Sequence, residues 1–237
     1  MTRADVCAVA CAELFRGDGE ILASPMGMLP ALGARLARRT FAPDLLVSDG
    51  EALLLGADLS TVEGWLPYRR VFDVVAYGAR HVVMGANQLD RHGNQNISCI
   101  GEHPRPDRQL LGFRGAPGNT VNHRTSYWVP RHSTRVFVER VDVVCGVGYD
   151  RLTPPAGRYH DLHRVVTDLA VLDFDTADHS MRLVSVHPGV TVDQVVERTG
   201  FPLHTSNASE TRSPTTAELR LLDELDPDGL REREVPP

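Results

Sequence analysis

Hydrophobic and polar positions in the first third of the chain follow two alternating periods. Val6, Val9, Ala10 and Leu14 share one helical face behind Thr2, a residue suited to an N-cap, so Thr2–Phe15 is expected to be a helix. Glu20–Ser24 reads as a short strand. Gly27–Arg39 returns to the helical period, with Leu29, Leu32 and Leu36 on one side and Arg35, Arg38 and Arg39 on the other. Asp44–Ser48 reads as a second strand, closed by the turn pair Asp49-Gly50. This alternation favours an α/β fold with a mostly parallel central sheet flanked by helices.

Further along, His81–Gly85 has the composition of a buried strand, and Ala86–Asp90 leaves its carboxyl end, the side of such sheets where ligands collect. Arg91–Asn96 reads as a polar turn. From Gly101 to Pro130 the chain is rich in Gly, Pro and Asn, which predicts a long irregular site loop. Asn119–Trp128 within it is dense in polar and aromatic side chains, and reads either as a substrate-facing loop or as a partner contact. Strand patterns resume at Val136–Val144 and Arg164–Phe174, with Arg182–Val186 as a hairpin partner. Thr191 caps a short helix to Arg198, and a polar tail over 207–237 holds a weak helix at Thr216–Leu225. With no repeat or linker in the pattern, residues 1–237 are expected to form a single domain.

Composition narrows the chemistry. All 25 basic residues are arginine, which leaves no lysine for an imine, a pyridoxal phosphate anchor or a Walker-type loop. A formal charge of -6 argues against non-specific nucleic-acid binding. No apolar run approaches the ~20 residues of a membrane span, and Met1–Val9 has no signal-peptide pattern, so a cytoplasmic protein is expected. Cys7 and Cys11, one helical turn apart, read as small core residues, and no metal site is expected. His160 and His163 read as surface or loop histidines because no third ligand is defined. Neither a GxSxG elbow nor a GxGxxG turn is present.

Two stretches carry a resemblance. Gly85-Ala86-Asn87-Gln88-Leu89-Asp90-Arg91-His92-Gly93-Asn94 follows a strand. Thr167-Asp168-Leu169-Ala170-Val171-Leu172 is followed by Pro188-Gly189-Val190-Thr191. In residues and spacing, from about Gly27 to Leu203, the chain resembles the β subunits of family I coenzyme A transferases. The resemblance implies a glutaconate CoA-transferase-like α/β fold. It also implies a partner α subunit, as a heterodimer or an α2β2 heterotetramer, and an acyl-CoA substrate whose CoA is the only cofactor-like group.

The match fails where the transferases place their nucleophile. Their Ser-Glu-Asn-Gly turn, whose glutamate attacks the thioester, reads Val47-Ser48-Asp49-Gly50 here, with Ser48 at the nucleophile position, Asp49 beside it and Glu51 beyond the glycine. The glycine-rich loop reads Gly112-Phe113-Arg114-Gly115-Ala116. Gly115 is expected to offer an N–H to an oxyanion. Arg114 reads equally as a pocket residue for an anionic substrate or as a solvated loop arginine. Asn87 and Gln88 are neutral donors for a carbonyl or water, and equally structural turn residues. With no lysine, this chain could hold CoA phosphates only through arginine forks, backbone N–H groups or helix N-termini, with the loop arginines Arg114 and Arg124 as first candidates and the partner subunit as the alternative holder.

These departures resemble a branch of the family without the glutamate, the ring-cleaving hydrolases of steroid catabolism. The expected function is then the β subunit of an enzyme that opens a CoA-activated cyclic ketone by retro-Claisen hydrolysis, its general base on the α subunit. An ordinary CoA transferase using Glu51, or a non-catalytic ligand-sensing domain of the same fold, are the alternatives.

Overall fold

The computed structural model describes residues 1–50, 52–56, 58 and 60–235. The chain opens with α1 (Arg3–Glu13), started by a reciprocal capping box in which Thr2 accepts from the Asp5 amide and Asp5 accepts from the Thr2 amide. Then come β1 (Leu22–Pro25), α2 (Met28–Thr40), β2 (Leu46–Ser48), β3 (Leu53–Leu55), β4 (Val62–Trp65), α3 (Tyr68–Tyr77) and β5 (Arg80–Gly85). Two small hairpins follow, β6 (Gln88–Leu89) with β7 (Gln95–Asn96), and β8 (Cys99–Ile100) with β9 (Arg108–Gln109). The remainder is α4 (Ala116–Asn122), β10 (Arg124–Val129), β11 (Asp161–Thr167), β12 (Ala170–Asp173), β13 (Arg182–Val186), α5 (Val192–Glu197), β14 (Ser209–Glu210), α6 (Thr216–Leu225) and α7 (Arg231–Glu234).

Ten of these strands form one sheet in the order β14-β13-β12-β11-β10-β5-β1-β2-β3-β4. Its centre, β11-β10-β5-β1-β2, is parallel, and antiparallel strands extend it on either side. The fold class expected from the sequence is the one observed. Alternation sorts the central side chains onto two faces. Ala23, Val47, Val83, Trp128 and Val166 join a core beneath α1 and α2. Val82, Met84, Tyr127 and Val165 join the core of the opposite face.

Helix α1 differs from its expected amphipathic form, because Ala4 to Ala12 are all buried. One face meets the sheet and another meets α2. A Cβ at Gly33 would lie 2.7 Å from the Cβ of Cys11, so only glycine lets these helices approach so closely. Cys7 and Cys11 are small core residues in that seam. The segment from 207 to 235 closes over the same helices, with α6 and α7 packed on α1 and α2. Arg231 is buried and bonds Asp5 at 2.9 Å, Asp226 at 3.2 Å and Asp223 at 2.5 Å. Glu234 accepts from the Leu29 amide at 3.1 Å and from the Trp128 indole at 2.8 Å, which caps the otherwise uncapped start of α2. Among the described residues no helix is long and apolar enough to cross a membrane.

Two expectations are corrected. Val136–Val144 is an irregular segment, not a strand. Its backbone bonds are a single bridge to β6, with Val138 N to Leu89 O, and a bond from the turn after α5, Gly200 N to Phe137 O, while Phe137 and Val141 fill the core. The expected irregular loop Gly101–Pro130 contains α4 and the central strand β10. Polar Thr125 and Ser126 are tolerated inside because Thr125 donates to the Asn119 and His123 carbonyls and Ser126 bonds the His81 ring.

Candidate active site

In the parallel centre, β1 and β5 are neighbours whose chain continuations leave in opposite directions, toward β2 and toward β10. The carboxyl ends around such a switch point form a crevice. Ser48 ends β2 at that edge, and Asn87 follows the end of β5. Gly115 begins α4, which runs back antiparallel to β10 and so starts on the same side of the sheet. The structure therefore brings Ser48, Asn87 and Gly115 to one edge.

Ser48 is buried, its Oγ donating to the Ala23 carbonyl at 3.0 Å and accepting from the Gly50 amide at 3.1 Å. Gly50 has φ +91°, and a Cβ there would run into the Pro25 carbonyl, so the turn requires glycine. Asp49 turns its carboxylate onto the Ala52 amide at 2.9 Å and the Leu53 amide at 3.0 Å. These bonds fix the turn's shape. Glu51 lies outside the described residues.

Across the crevice, Asn87 is exposed and its amide donates to Asn96 O at 3.0 Å. Gln88 is held structurally. Its carbonyl accepts from Asn96 at 2.7 Å and from the Asp142 amide at 2.9 Å, and its NH2 donates to Asp142 at 3.0 Å. Asn87 and Gln88 line a cavity of about 380 Å³ with Arg108 and Arg135. Gly115 is exposed, and its N–H has no acceptor among the described residues. Arg114 beside it is exposed and holds φ +49°, a left-handed backbone state that glycine adopts most readily.

Arg124 is not a loop residue. It opens β10, and its guanidinium bonds Asp18 at 2.7 Å and Asp161 at 2.9 Å. It pairs in register with His81 near the start of β5, so it sits toward the amino end of the sheet, away from the other candidates. Two carboxylates engage its Nε and Nη1. Asp18 also accepts from His81 at 2.6 Å, and His81 meets Ser126 at 2.9 Å, all three buried. Burial pushes the Asp18 carboxyl up, yet the His81 and Arg124 bonds hold it below the ordinary range. His160 bonds the Thr120 carbonyl and His163 faces His81 with ring centres 5.7 Å apart, so these half-buried rings are structural rather than solvent-facing.

Sequence reasoning missed two features. A cleft of about 750 Å³ beyond the ends of β10 and β11 is lined by Arg3, Arg131, Arg135 and Arg198, with His132 and Asp168 on its wall. Arg3 donates to the Pro188 carbonyl through Nη2, while its Nη1 is buried without a partner among the described residues. Recognising β10 would have placed Pro130-Arg131-His132 at a strand's carboxyl end. Arg80 is the second. Its buried guanidinium bonds Ser24 at 3.1 Å and Asn119 at 3.4 Å with no carboxylate within ion-pair reach among the described residues, and burial lowers its pKa to about 10.

Comparison with known proteins fits this geometry. The coenzyme A transferase family matches residues 75–198, more than half of the chain. The chain belongs to the coenzyme A transferase family. Within the family it is 58% identical to the cholesterol ring-cleaving hydrolase IpdB subunit of Rhodococcus jostii RHA1, covering 99% of this chain and 96% of that subunit. The crystal structure of R. jostii RHA1 IpdAB superposes with a TM-score of 0.95 at 58% identity, covering 99% of this chain and 98% of that one. Glutaconate coenzyme A-transferase from Acidaminococcus fermentans superposes with a TM-score of 0.80 at 26% identity over 94% of each chain. The coenzyme A transferase core thus contains β5, β10, β11 and the Gly115 loop, and the Ser48 turn lies outside the matched stretch, separated from it by β3 and β4.

Proposed function

We propose that this chain is the β subunit of a two-subunit hydrolase that opens a ring of a CoA-thioester cyclic ketone in steroid catabolism. One observation carries the reading. The turn that registers with the transferase nucleophile presents a small, buried Ser48, in a chain 58% identical over nearly its whole length to a ring-cleaving hydrolase subunit. Without a carboxylate at position 48, no acyl-glutamyl intermediate forms at the position that registers with the transferase nucleophile.

In the proposed reaction, water adds to the ring carbonyl as a general base takes its proton. The ring C–C bond next to the thioester carbonyl then breaks, its electron pair enters the thioester as an enolate, and a proton returns to carbon. Product has gained one water, and CoA stays attached. The free Gly115 N–H supplies an oxyanion donor. Asn87 faces the crevice as a neutral donor. Ser48, bonded to backbone and with no histidine partner among the described residues, leaves room for ring carbon or water and does not attack.

The arginine cleft, three to four strand spacings or roughly 15–20 Å from Ser48, gives the CoA phosphates their grip. Arg114 reaches the entering anion from the loop, whereas Arg124 is spent on Asp18 and Asp161. The general base comes from the α subunit. The reading carries with it an α2β2 assembly, a cytoplasmic location and no dissociable cofactor.

The test is the reconstituted two-subunit enzyme with a cyclic-ketone acyl-CoA in 18O-water. A mass gain of one labelled water with the thioester intact is expected. CoA exchange, or a glutamyl residue trapped by hydroxylamine, would overturn the reading in favour of a transferase.

A further inference from the structure

Arg80 opens β5 and is 6% exposed, on the sheet face that carries Val82 and Met84. Ser24 of β1 lies opposite Val82, and one step beyond the Ala23–Val47 pair the same register sets it beside Ser48. Ala23 and Val47 face the core beneath α1 and α2, so alternation turns Ser24 and Ser48 to the face of Arg80. The Arg80 side chain runs up this face, and its Nε donates to Ser24 Oγ at 3.1 Å. On its other side Nη1 donates to Asn119 Oδ1 at 3.4 Å.

Asn119 is 1% exposed and ties α4 to the sheet, its Nδ2 meeting the Met84 sulfur at 3.3 Å and its backbone amide donating to the Gly115 carbonyl at 2.9 Å. A Cβ at Gly115 would lie 3.4 Å from that Nδ2 and 3.9 Å from the Oδ1. These contacts set the guanidinium roughly 7 Å from Gly115, with Ser48 one strand spacing of about 5 Å beyond Ser24. Arg80 thus forms the floor of the crevice between the two. An ion buried against neutral oxygens weakens a fold, and an apolar side chain would pack there with less loss. The charge is felt by its surroundings. At the end of α4, His123 is brought down to about 4, by burial first and by Arg80 second.

We infer that Arg80 is a positioning residue of the site: clamped between Ser24 and Asn119, its guanidinium holds a fixed positive charge beneath the crevice, where ring opening builds an oxyanion and then an enolate. The inference rests on the ring-opening reading above. Arg80 touches neither anion. It acts through the Asn119 amide, which keeps Gly115 in place, and through its field, which a dry protein floor screens poorly. Because the charge meets an anion that exists only during reaction, it favours the reacting state over bound substrate.

The test uses the reconstituted two-subunit enzyme and acetoacetyl-CoA, a β-keto thioester with no ring to open. Its α-proton passes to the buffer, and the enolate left behind has a near-ultraviolet band that reports the bound enolate fraction without turnover. A unit charge about 8 Å away at an effective dielectric of about 20 changes that fraction on the order of 30-fold. Arg80→Met is therefore expected to cut it tenfold or more, and Arg80→Lys, which keeps the charge, to stay within about threefold of wild type. Asn119→Asp sets a carboxylate against the guanidinium in nearly the same volume. It is expected to cut the fraction as deeply with circular dichroism unchanged, and it decides the matter should Arg80→Met not fold. Affinity for free CoA stays the same throughout, and with the cyclic substrate kcat falls while KM holds. No enolate on the wild-type complex, or an undiminished fraction in Asn119→Asp or folded Arg80→Met, overturns the inference. So does an equal loss in Arg80→Lys, the mark of a packing role. If the enolate behaves as expected but the 18O experiment fails, the charged floor stands and the ring-opening chemistry falls. If the 18O experiment succeeds and the enolate ignores Arg80, the inference alone falls.

Discussion

In the proposed ring-opening reaction Ser48 stands where a transferase would carry its nucleophile, and its hydrogen bonds say how a substitution should read. Its hydroxyl ties the Ala23 carbonyl to the Gly50 amide within a buried turn. Ser48→Ala should cost about 1 kcal/mol of stability, seen as a lower melting temperature, and reduce kcat less than tenfold. Loss of a true nucleophile costs several orders of magnitude, so the size of the kcat effect tests the assignment. For the cleft, Arg131→Ala with Arg198→Ala should raise KM for a CoA thioester about tenfold or more with kcat little changed, because a grip on the nucleotide acts equally in ground and transition states. Free CoA should lose affinity in parallel by calorimetry. The Asp49-Gly50 turn was legible at this scale from residue type alone, whereas the Gly115 loop was picked out through the family resemblance. Arg124 was misread because its neighbours Asp18 and Asp161 lie 106 and 37 residues away in sequence, and only the fold joins them.

At the scale of elements, local signals succeeded where an element carries its own punctuation. The helices behind Thr2, Thr191 and Thr215 each begin with a complete capping box. β10 was invisible because its polar Arg124, Thr125 and Ser126 are satisfied by tertiary partners, and Val136–Val144 misled because β-branched residues also suit a buried irregular segment. Helix α2 shows the same dependence on distance, since its start is capped by Glu234, 205 residues away. Glu234→Ala should leave the Leu29 amide and Trp128 indole unpaired and destabilise the chain by roughly 1–2 kcal/mol. Arg231→Ala should cost more, about 3 kcal/mol, because buried Asp5 and Asp226 lose their counter-charge. Urea unfolding of the two variants gives the order.

For the molecule as a whole, four histidines, three buried and His163 half-buried, set the response to acid. Burial lowers His123, His163 and His187 to about 4 and His132 to about 3. An unfolded chain takes up these protons near pH 6.5, whereas the native one resists until pH 3–4. Stability from this source is therefore complete above pH 6.5 and is lost as pH falls toward 4. Melting temperature should decline from just below neutrality, before the carboxylates titrate, and His187→Gln should flatten the slope.

The sheet divides its labour between two ends, and the amino end hides a decoy. Asp18, His81 and Ser126 are joined at 2.6 and 2.9 Å, the connectivity by which serine proteases and esterases are often recognised. Any template search keyed to that connectivity would score the wrong edge of this protein. With Ser126 and His81 wholly enclosed, no ester can reach them, so a fluorophosphonate probe should leave the folded chain unlabelled. Solvent access, more than interatomic distance, distinguishes a reactive constellation from a structural one.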